Sequence, residues 1–314
     1  MKKLLIIKLG FSETLDSKIS WISSLGDVLR ATVILHFYKN YQVSWLVAAK
    51  ARALLERNKY IDKIYDYSPA AKRWLKKKNF DLIINLEKVP EVCSFAESVP
   101  TKQYLGFRVS AVNGSSVDFA AGELIKIHQD LEAKRKNVAC WQKIIAGALG
   151  KKWDGQGYIL GYKPRSKIKY DIGFNWTVGS KWPNKAWPKD RWEELEGLID
   201  GKYTVSWQQG LDSLNEYIDW INSCRLIVTA DTLGLHICLA LKKQVIALFG
   251  PTSYREMYFY KCGRVVLPQA PYKCVPCFNS DCDKARPCME LIDPAKVKNE
   301  IEHAFKNNKT TRKL

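Results

Sequence analysis

An apolar run, a polar glycine-bearing turn, a short helical stretch and a second apolar run follow one another between Arg225 and Ser253. Arg225-Leu-Ile-Val-Thr-Ala230 has the length and β-branching of a parallel strand buried on both faces. Asp231-Thr-Leu-Gly234 forms the turn, residues 235–242 have helical character, and Gln244-Val-Ile-Ala-Leu-Phe249 reads as the next strand, stopped by Gly250-Pro251. In open α/β sheets ligands sit where such a strand gives way to its helix. A helix N-terminus there offers N–H groups and partial positive charge to phosphate. Asp231 and Thr232 occupy that place; the plainer alternative is that they only cap the helix.

The same alternation runs through the chain. Strands are predicted at 3–9, 42–48, 61–65 and 80–86, with a strand or turn at 103–108. Helices are predicted at 28–38, 49–57, 70–78, 90–98 and 129–149. Residues 150–165, rich in glycine and lysine, read as a linker. The pattern then restarts, with strands at 170–175 and 203–207, helices at 191–198 and 214–222, and a last helix at 293–305. A chain of 314 residues suits two domains of ordinary size. The expectation is an α/β chain with two doubly wound, Rossmann-like domains facing a central cleft, 1–160 and 161–314. The second would carry a Cys-rich loop at 274–288 and the C-terminal helix.

A net charge of +18 favours anionic partners, whether nucleic acid, acidic lipid headgroups or phosphorylated substrates. The excess is clustered: Ala71-Lys-Arg-Trp-Leu-Lys-Lys-Lys-Asn-Phe80 holds five basic residues and no acid. No nucleic-acid-binding motif accompanies these clusters, which disfavours that class of partner. No apolar run approaches the roughly 20 residues that span a bilayer. The N-terminal residues 1–7 resemble a signal peptide only until Lys8, and no small-residue cleavage site follows, so a first strand and a cytoplasmic location are expected.

Nine cysteines, an odd count, argue against a disulfide framework. Four of them, Cys274-x2-Cys277-x4-Cys282-x5-Cys288, lie in a proline- and polar-rich stretch whose spacing suits a structural zinc or iron site. The alternative is a loop of reduced or adventitiously bridged thiols.

Five motifs occur in order: Leu5-Ile-Ile-Lys-Leu-Gly10, Ser24-Leu-Gly-Asp-Val-Leu-Arg-Ala-Thr32, Lys185-Ala-Trp-Pro188 with Trp192, Asp231-Thr-Leu-Gly-Leu-His236 and Ala247-Leu-Phe-Gly-Pro-Thr252. Together they resemble glycosyltransferase family 9, the ADP-heptose:lipopolysaccharide heptosyltransferases. The resemblance implies a GT-B fold and a metal-independent, inverting transfer of heptose or a related sugar. The donor would be an ADP-sugar, and the acceptor a lipopolysaccharide core or similar saccharide. It makes Asp27 the general base, a role that suits a carboxylate at a helix N-terminus, where the dipole keeps it ionised. It makes Lys185 a ligand of the donor diphosphate, with Lys181 and Thr177 in the polar loop beside it. Asp231, Thr232, Leu233, Gly234 and His236 complete the donor site. Metal-free departure of a diphosphate needs such fixed cations and N–H donors.

Two departures from the family pattern stand out. Residues 11–23 separate the first strand from the Ser-Leu-Gly-Asp turn, and the donor-loop glycine follows Leu233 instead of Thr232. The Cys-rich loop also resembles that of an iron-binding branch, the autotransporter heptosyltransferases, which keeps protein O-heptosylation open. A basic, metal-stapled nucleic-acid-binding module and an inactive relative acting as an assembly partner are the readings from other classes. The basic surface suits peripheral contact with an anionic inner membrane.

Overall fold

The computed structural model describes residues 1–11, 19, 21–109, 116–118 and 130–311. Residues 12–18 and 20 of the expected insertion, and most of 113–123, lie outside the described residues. The chain divides into two compact units, Met1–Lys163 and Pro164–Leu314.

The first unit is built on a six-stranded sheet of β1 (Lys2–Ile7), β2 (Tyr41–Val47), β3 (Lys63–Asp66), β4 (Leu82–Asn85), β5 (Tyr104–Arg108) and β6 (Ser116–Asp118). Their spatial order is β3-β2-β1-β4-β5-β6, and only β6 runs antiparallel to its neighbour. The helices are α1 (Leu25–Ala31), α2 (Pro69–Leu75), α3 (Pro90–Glu97), α4 (Leu131–Lys136) and α5 (Trp141–Ala148). Leu5 and Ile7 of β1, Leu46 of β2 and Ile83 of β4 meet Leu75 of α2 and Val92 and Phe95 of α3 in one fully buried cluster.

The second unit carries a five-stranded, all-parallel sheet of β7 (Tyr170–Asn175), β8 (Val205–Trp207), β9 (Cys224–Ala230), β10 (Gln244–Leu248) and β11 (Gly263–Val266). The spatial order is β11-β10-β9-β7-β8. Helices α6 (Lys189–Ile199), α7 (Leu214–Ser223), α8 (Leu233–Leu241) and α9 (Pro294–Thr311) flank it. The core is aromatic: Trp192 is fully buried, with ring centroids 5.0 Å from Trp187 and 5.2 Å from Phe174. Both units are doubly wound. Strand order reverses between β1 and β4 in one sheet and between β7 and β9 in the other, and such switch points are where open α/β sheets take ligands.

Three helices differ from expectation. The helix predicted at 28–38 tightens after Ala31 into a 3₁₀ segment, Thr32–Phe37, where the Thr32 hydroxyl donates back to the Leu29 carbonyl at 2.6 Å and a β-branched run begins. The stretch 49–57 is a 3₁₀ segment, Ala49–Leu54. The single helix predicted at 129–149 is two, because the Asn137 amide both accepts from the Ala139 N–H and donates to the Ala139 carbonyl, folding the chain into a turn. Strand β11 was not foreseen; Arg264 and the preceding Gly263 broke its apolar pattern.

Removing the largest side chain from the aromatic core tests this packing. Trp192→Ala is expected to cost about 3–5 kcal/mol, read from urea denaturation of the full chain. A loss below about 1 kcal/mol would mean that Trp192 does not organise the second unit.

Candidate active site

At the switch point of the second sheet, β7 ends in Asn175 and β9 runs out through Ala230 into Asp231. The Asn175 side chain is buried and ties three segments together. Its amide nitrogen donates to the Thr229 hydroxyl at 2.7 Å and to the Thr232 hydroxyl at 3.0 Å, while its oxygen accepts from the Tyr217 hydroxyl at 2.7 Å. Burial pushes the Tyr217 phenol far up, so it remains a protonated donor. Thr232 is the N-cap of α8, its hydroxyl accepting from the Gly234 N–H at 3.2 Å. A Cβ on Gly234 would stand 2.5 Å from the Asn175 amide nitrogen and 2.6 Å from the Tyr217 hydroxyl, so only glycine fits. His236 lies buried one turn further along the helix, and Leu233 opens it half-buried.

Onto this frame the 3₁₀ turn Pro183–Lys185 brings the Lys185 ammonium. It lies 2.7 Å from the Asp231 carboxylate and 3.2 Å from the Asp231 carbonyl, over the Trp182 ring at 4.8 Å. Trp187, two residues further on, lies deep in the core. The Thr252 hydroxyl, from the Gly-Pro-Thr turn after β10, donates to the same carboxylate at 2.8 Å. Burial alone would raise the Asp231 carboxyl, but Lys185, His236 and the Thr252 hydroxyl outweigh it and hold the group down to about 2. An ammonium has three donors, and Asp231 takes two of them, which leaves one for a phosphate oxygen. Lys181 is buried in the loop between β7 and this turn. Thr177, exposed on that loop, donates to the Gln208 amide oxygen at 2.6 Å.

The Cys-rich loop lies against this cluster. The Phe278 N–H donates to the Pro251 carbonyl at 2.8 Å, and the Asn184 amide donates to the Asn279 carbonyl, so the loop clasps the turns that carry Thr252 and Lys185. Cys274, Cys277, Cys282 and Cys288 all border one cavity of about 20 Å³. Burial, then the neighbouring thiols, push Cys288 up to about 11 and raise Cys277 as well. Among the described residues, however, no three His, Cys, Asp or Glu side chains form a group that could hold a metal. The metal centre expected from the spacing is not formed: Cys288 is buried, Cys274 and Cys277 are half-buried and Cys282 is exposed.

In the first unit, Asp27 sits in the first turn of α1, and its carboxylate meets the buried Arg30 guanidinium at 3.0 Å. Arg30 is itself held over the Trp141 ring at 4.8 Å. The approach to α1 is fixed by Glu87, a fully buried residue after β4. One carboxylate oxygen accepts from the N–H groups of Leu9 and Gly10, both at 2.7 Å, the other from Phe11 at 3.1 Å, and Lys8 stands 3.3 Å away. Gly10 has φ +88°, and a Cβ there would meet the Ser24 carbonyl oxygen at 2.5 Å. That close approach lets Ser24 N–H bond the Gly10 carbonyl at 2.7 Å and brings the Ser-Leu-Gly-Asp turn to the strand end.

Sequence reasoning missed Arg30, Glu87, Asn175 and Tyr217. Arg30 was signalled by its place three residues after Asp27 on one helix face. The other three work through tertiary contacts that no local pattern announces.

Residues 210–286 match the model of glycosyltransferase family 9 (heptosyltransferase). The matched stretch is about a quarter of the chain. Lipooligosaccharide heptosyltransferase 2 of Campylobacter jejuni is 28% identical over 86 residues, 27% of each chain, so the matched stretch spans about a quarter of that relative. Lipopolysaccharide heptosyltransferase 1 of Campylobacter coli is 21% identical over 305 residues, covering 78% of this chain and 87% of that one. Among solved structures, E. coli heptosyltransferase WaaC with ADP-2-deoxy-2-fluoro heptose superposes with TM-score 0.62 at 17% identity, over 96% of this chain and 99% of the other. The iron-containing dodecameric glycosyltransferase TibC of enterotoxigenic E. coli superposes with TM-score 0.58 at 13% identity, over 98% and 76%. The fold is therefore GT-B, as in these heptosyltransferase structures.

The depressed Asp231 carboxyl links the site to stability. A carboxyl lowered on folding from 3.8 to about 2 adds stability above the unfolded value and loses it as pH falls through the folded one. Urea midpoints of the native chain should therefore fall by the equivalent of about 2 kcal/mol from this group between pH ~4 and ~2. Asp231→Asn should lack that component; an unchanged pH dependence would show that the pair is not formed in solution.

Proposed function

We propose that this chain is an inverting glycosyltransferase that moves heptose, or a related sugar, from an ADP-sugar to a lipopolysaccharide core or similar saccharide acceptor. The observation that carries the reading is the Lys185–Asp231–Thr252 cluster at the N-terminus of α8, on the switch point of the second sheet. It is a fixed cation with one donor left over, beside a capped helix N-terminus, which is what a departing diphosphate requires. The ADP-2-deoxy-2-fluoro heptose named with WaaC, and the heptosyltransferase names of the Campylobacter relatives, support the donor assignment.

In this scheme Asp27 takes the proton of the acceptor hydroxyl, whose oxygen attacks the anomeric carbon from the face opposite the diphosphate. Arg30 orients the Asp27 carboxylate. As the sugar–oxygen bond breaks, charge builds on the diphosphate and is met by Lys185 and the first turn of α8. Thr177 and Lys181 line the approach from the β7 loop. Asp231 holds Lys185 in place, and Asn175 with Tyr217 holds the cap. Among the described residues no helix is long and apolar enough to cross a membrane. The reading places the enzyme in the cytoplasm, where its basic surface meets the anionic inner membrane.

The decisive experiment combines thermal shift with a panel of nucleotide sugars and acceptor-dependent ADP release. Asp27→Ala should keep the donor-induced rise in Tm and lose about 10²–10⁴-fold in turnover, the usual worth of a general base. Lys185→Met should lose the donor-induced rise itself. If no nucleotide sugar stabilises the native chain, the transferase reading fails.

The Cys-rich loop belongs to the same reading as a structural brace that a metal would complete. Four soft thiols border one small cavity, although among the described residues they do not converge into a ligand group, so a metal would have to draw them together. The likeness in fold to an iron-containing relative supports this role. Zinc or iron there would tie the loop down over the Lys185 and Thr252 turns. The purified chain should contain about one equivalent of metal. Cys277→Ser should lose it and lower Tm; metal far below one equivalent in native protein would reject the brace.

A further inference from the structure

The basic run that the transferase reading does not use lines a cavity of about 160 Å³ in the first unit. Its floor comes from the face of the sheet under α2. Ser44 of β2 is in register with Lys63 of β3, and Lys3 of β1 lies one row away, in register with Gln42. Side chains two apart on a strand share a face, so Ser44 and Gln42 point together, as do Lys63 and Tyr65. Trp74 of α2 closes the wall, its ring 4.9 Å from Tyr65 and with the Lys78 ammonium over it at 4.5 Å.

Three features of this cavity call for an occupant. No acidic side chain is among its lining residues. Among the described residues, Lys3, Lys63 and Lys78 make no side-chain ion pair. The acid next along the chain, Asp81, is already taken by the Lys102 ammonium at 2.7 Å and the Lys3 backbone N–H at 2.8 Å. Three cations facing one concavity repel one another, and a bound anion turns that repulsion into attraction. Trp74 is also 39% exposed and lines the cavity, which leaves apolar ring surface for a ligand. At about 160 Å³ the cavity is too small to enclose a nucleotide sugar.

We infer that this cavity is a second anion site, which takes a phosphorylated sugar ring with its phosphate on Lys3, Lys63 and Lys78 and its ring against Trp74. The amides of Gln42 and Asn79, which line the same cavity, are placed for the sugar hydroxyls. The site is separate from the candidate active site. It opens at the ends where β1, β2 and β3 begin, whereas Asp27 follows the end where β1 finishes. It stands whether or not the chain transfers heptose. Free sugar phosphate and the phosphorylated saccharide of a membrane glycolipid share this chemistry, and the experiment tells them apart.

The full chain would be titrated calorimetrically with inorganic phosphate and with glucose 1-phosphate, at low and high salt, and floated with vesicles containing or lacking a phosphorylated glycolipid. The Lys63→Glu, Lys78→Glu double variant is compared with Lys136→Glu, Lys152→Glu, which carries the same charge change elsewhere; circular dichroism checks that both fold. The expected result is salt-sensitive binding that falls about tenfold or more in the first variant and is retained in the second. Binding of glucose 1-phosphate assigns a free ligand, and flotation without soluble binding assigns the glycolipid. Trp74→Ala should weaken glucose 1-phosphate and leave inorganic phosphate unchanged. Absence of binding in both arms, or equal loss in the two double variants, would overturn the site. An unchanged glucose 1-phosphate affinity in Trp74→Ala would overturn the ring platform.

Discussion

The second unit is arranged around one ion pair, Lys185 with Asp231, both almost out of contact with water. Removing two such charges from solvent costs several kcal/mol each, and a buried pair rarely does better than well-packed apolar residues of equal volume. Stability therefore does not explain it. The surroundings are nonetheless built to hold it. The Thr252 hydroxyl and the lysine's second bond to the Asp231 carbonyl add to the Coulombic attraction, and the Cys-rich loop anchors the turns that bear Lys185 and Thr252. An ammonium already desolvated and oriented needs no reorganisation when an anion arrives.

The two sheets treat their switch points in opposite ways. At the end of β1 the N–H groups of Leu9, Gly10 and Phe11 are consumed by the protein's own carboxylate, Glu87, with Lys8 as counter-charge. An external phosphate would find those donors occupied. At the end of β9 the Thr232 hydroxyl caps α8 without placing a charge on its N-terminus, and the cation stands to one side. The same α/β architecture thus yields a rigid, self-neutralised edge that carries an acid, Asp27, in one unit. In the other it yields an edge receptive to anions.

Much of this architecture was legible from residue order. Apolar runs with the length of buried strands located β1, β2, β4, β7, β9 and β10 to within a residue or two, because parallel strands buried on both faces leave little freedom of composition. Asp27, Lys185, Asp231 and Thr232 were legible as motif positions. Local pattern could not show that Lys185 and Asp231, 46 positions apart, form one pair, nor that Asn175 and Tyr217 meet beneath the helix cap. The cysteines show the opposite failure. Their spacing alone suggested a metal centre, yet spacing fixes only chain separation and leaves the direction of each thiol to the loop's packing on Pro251 and Asn184.

The place of the glycine after Leu233 has a physical reason in this packing. At the first turn of α8 the constraint falls on whichever residue faces the strand ends, and here that residue is Gly234. Its α-carbon lies so close to Asn175 and Tyr217 that any side chain would collide with both. Leu233, one position earlier, is only half-buried and escapes that contact. Because Asn175 also holds Thr229 and Thr232, a side chain at 234 would push on the one group that ties the cap to two strands. The glycine is therefore required by the buried amide behind it, and its position in the loop follows where that amide sits.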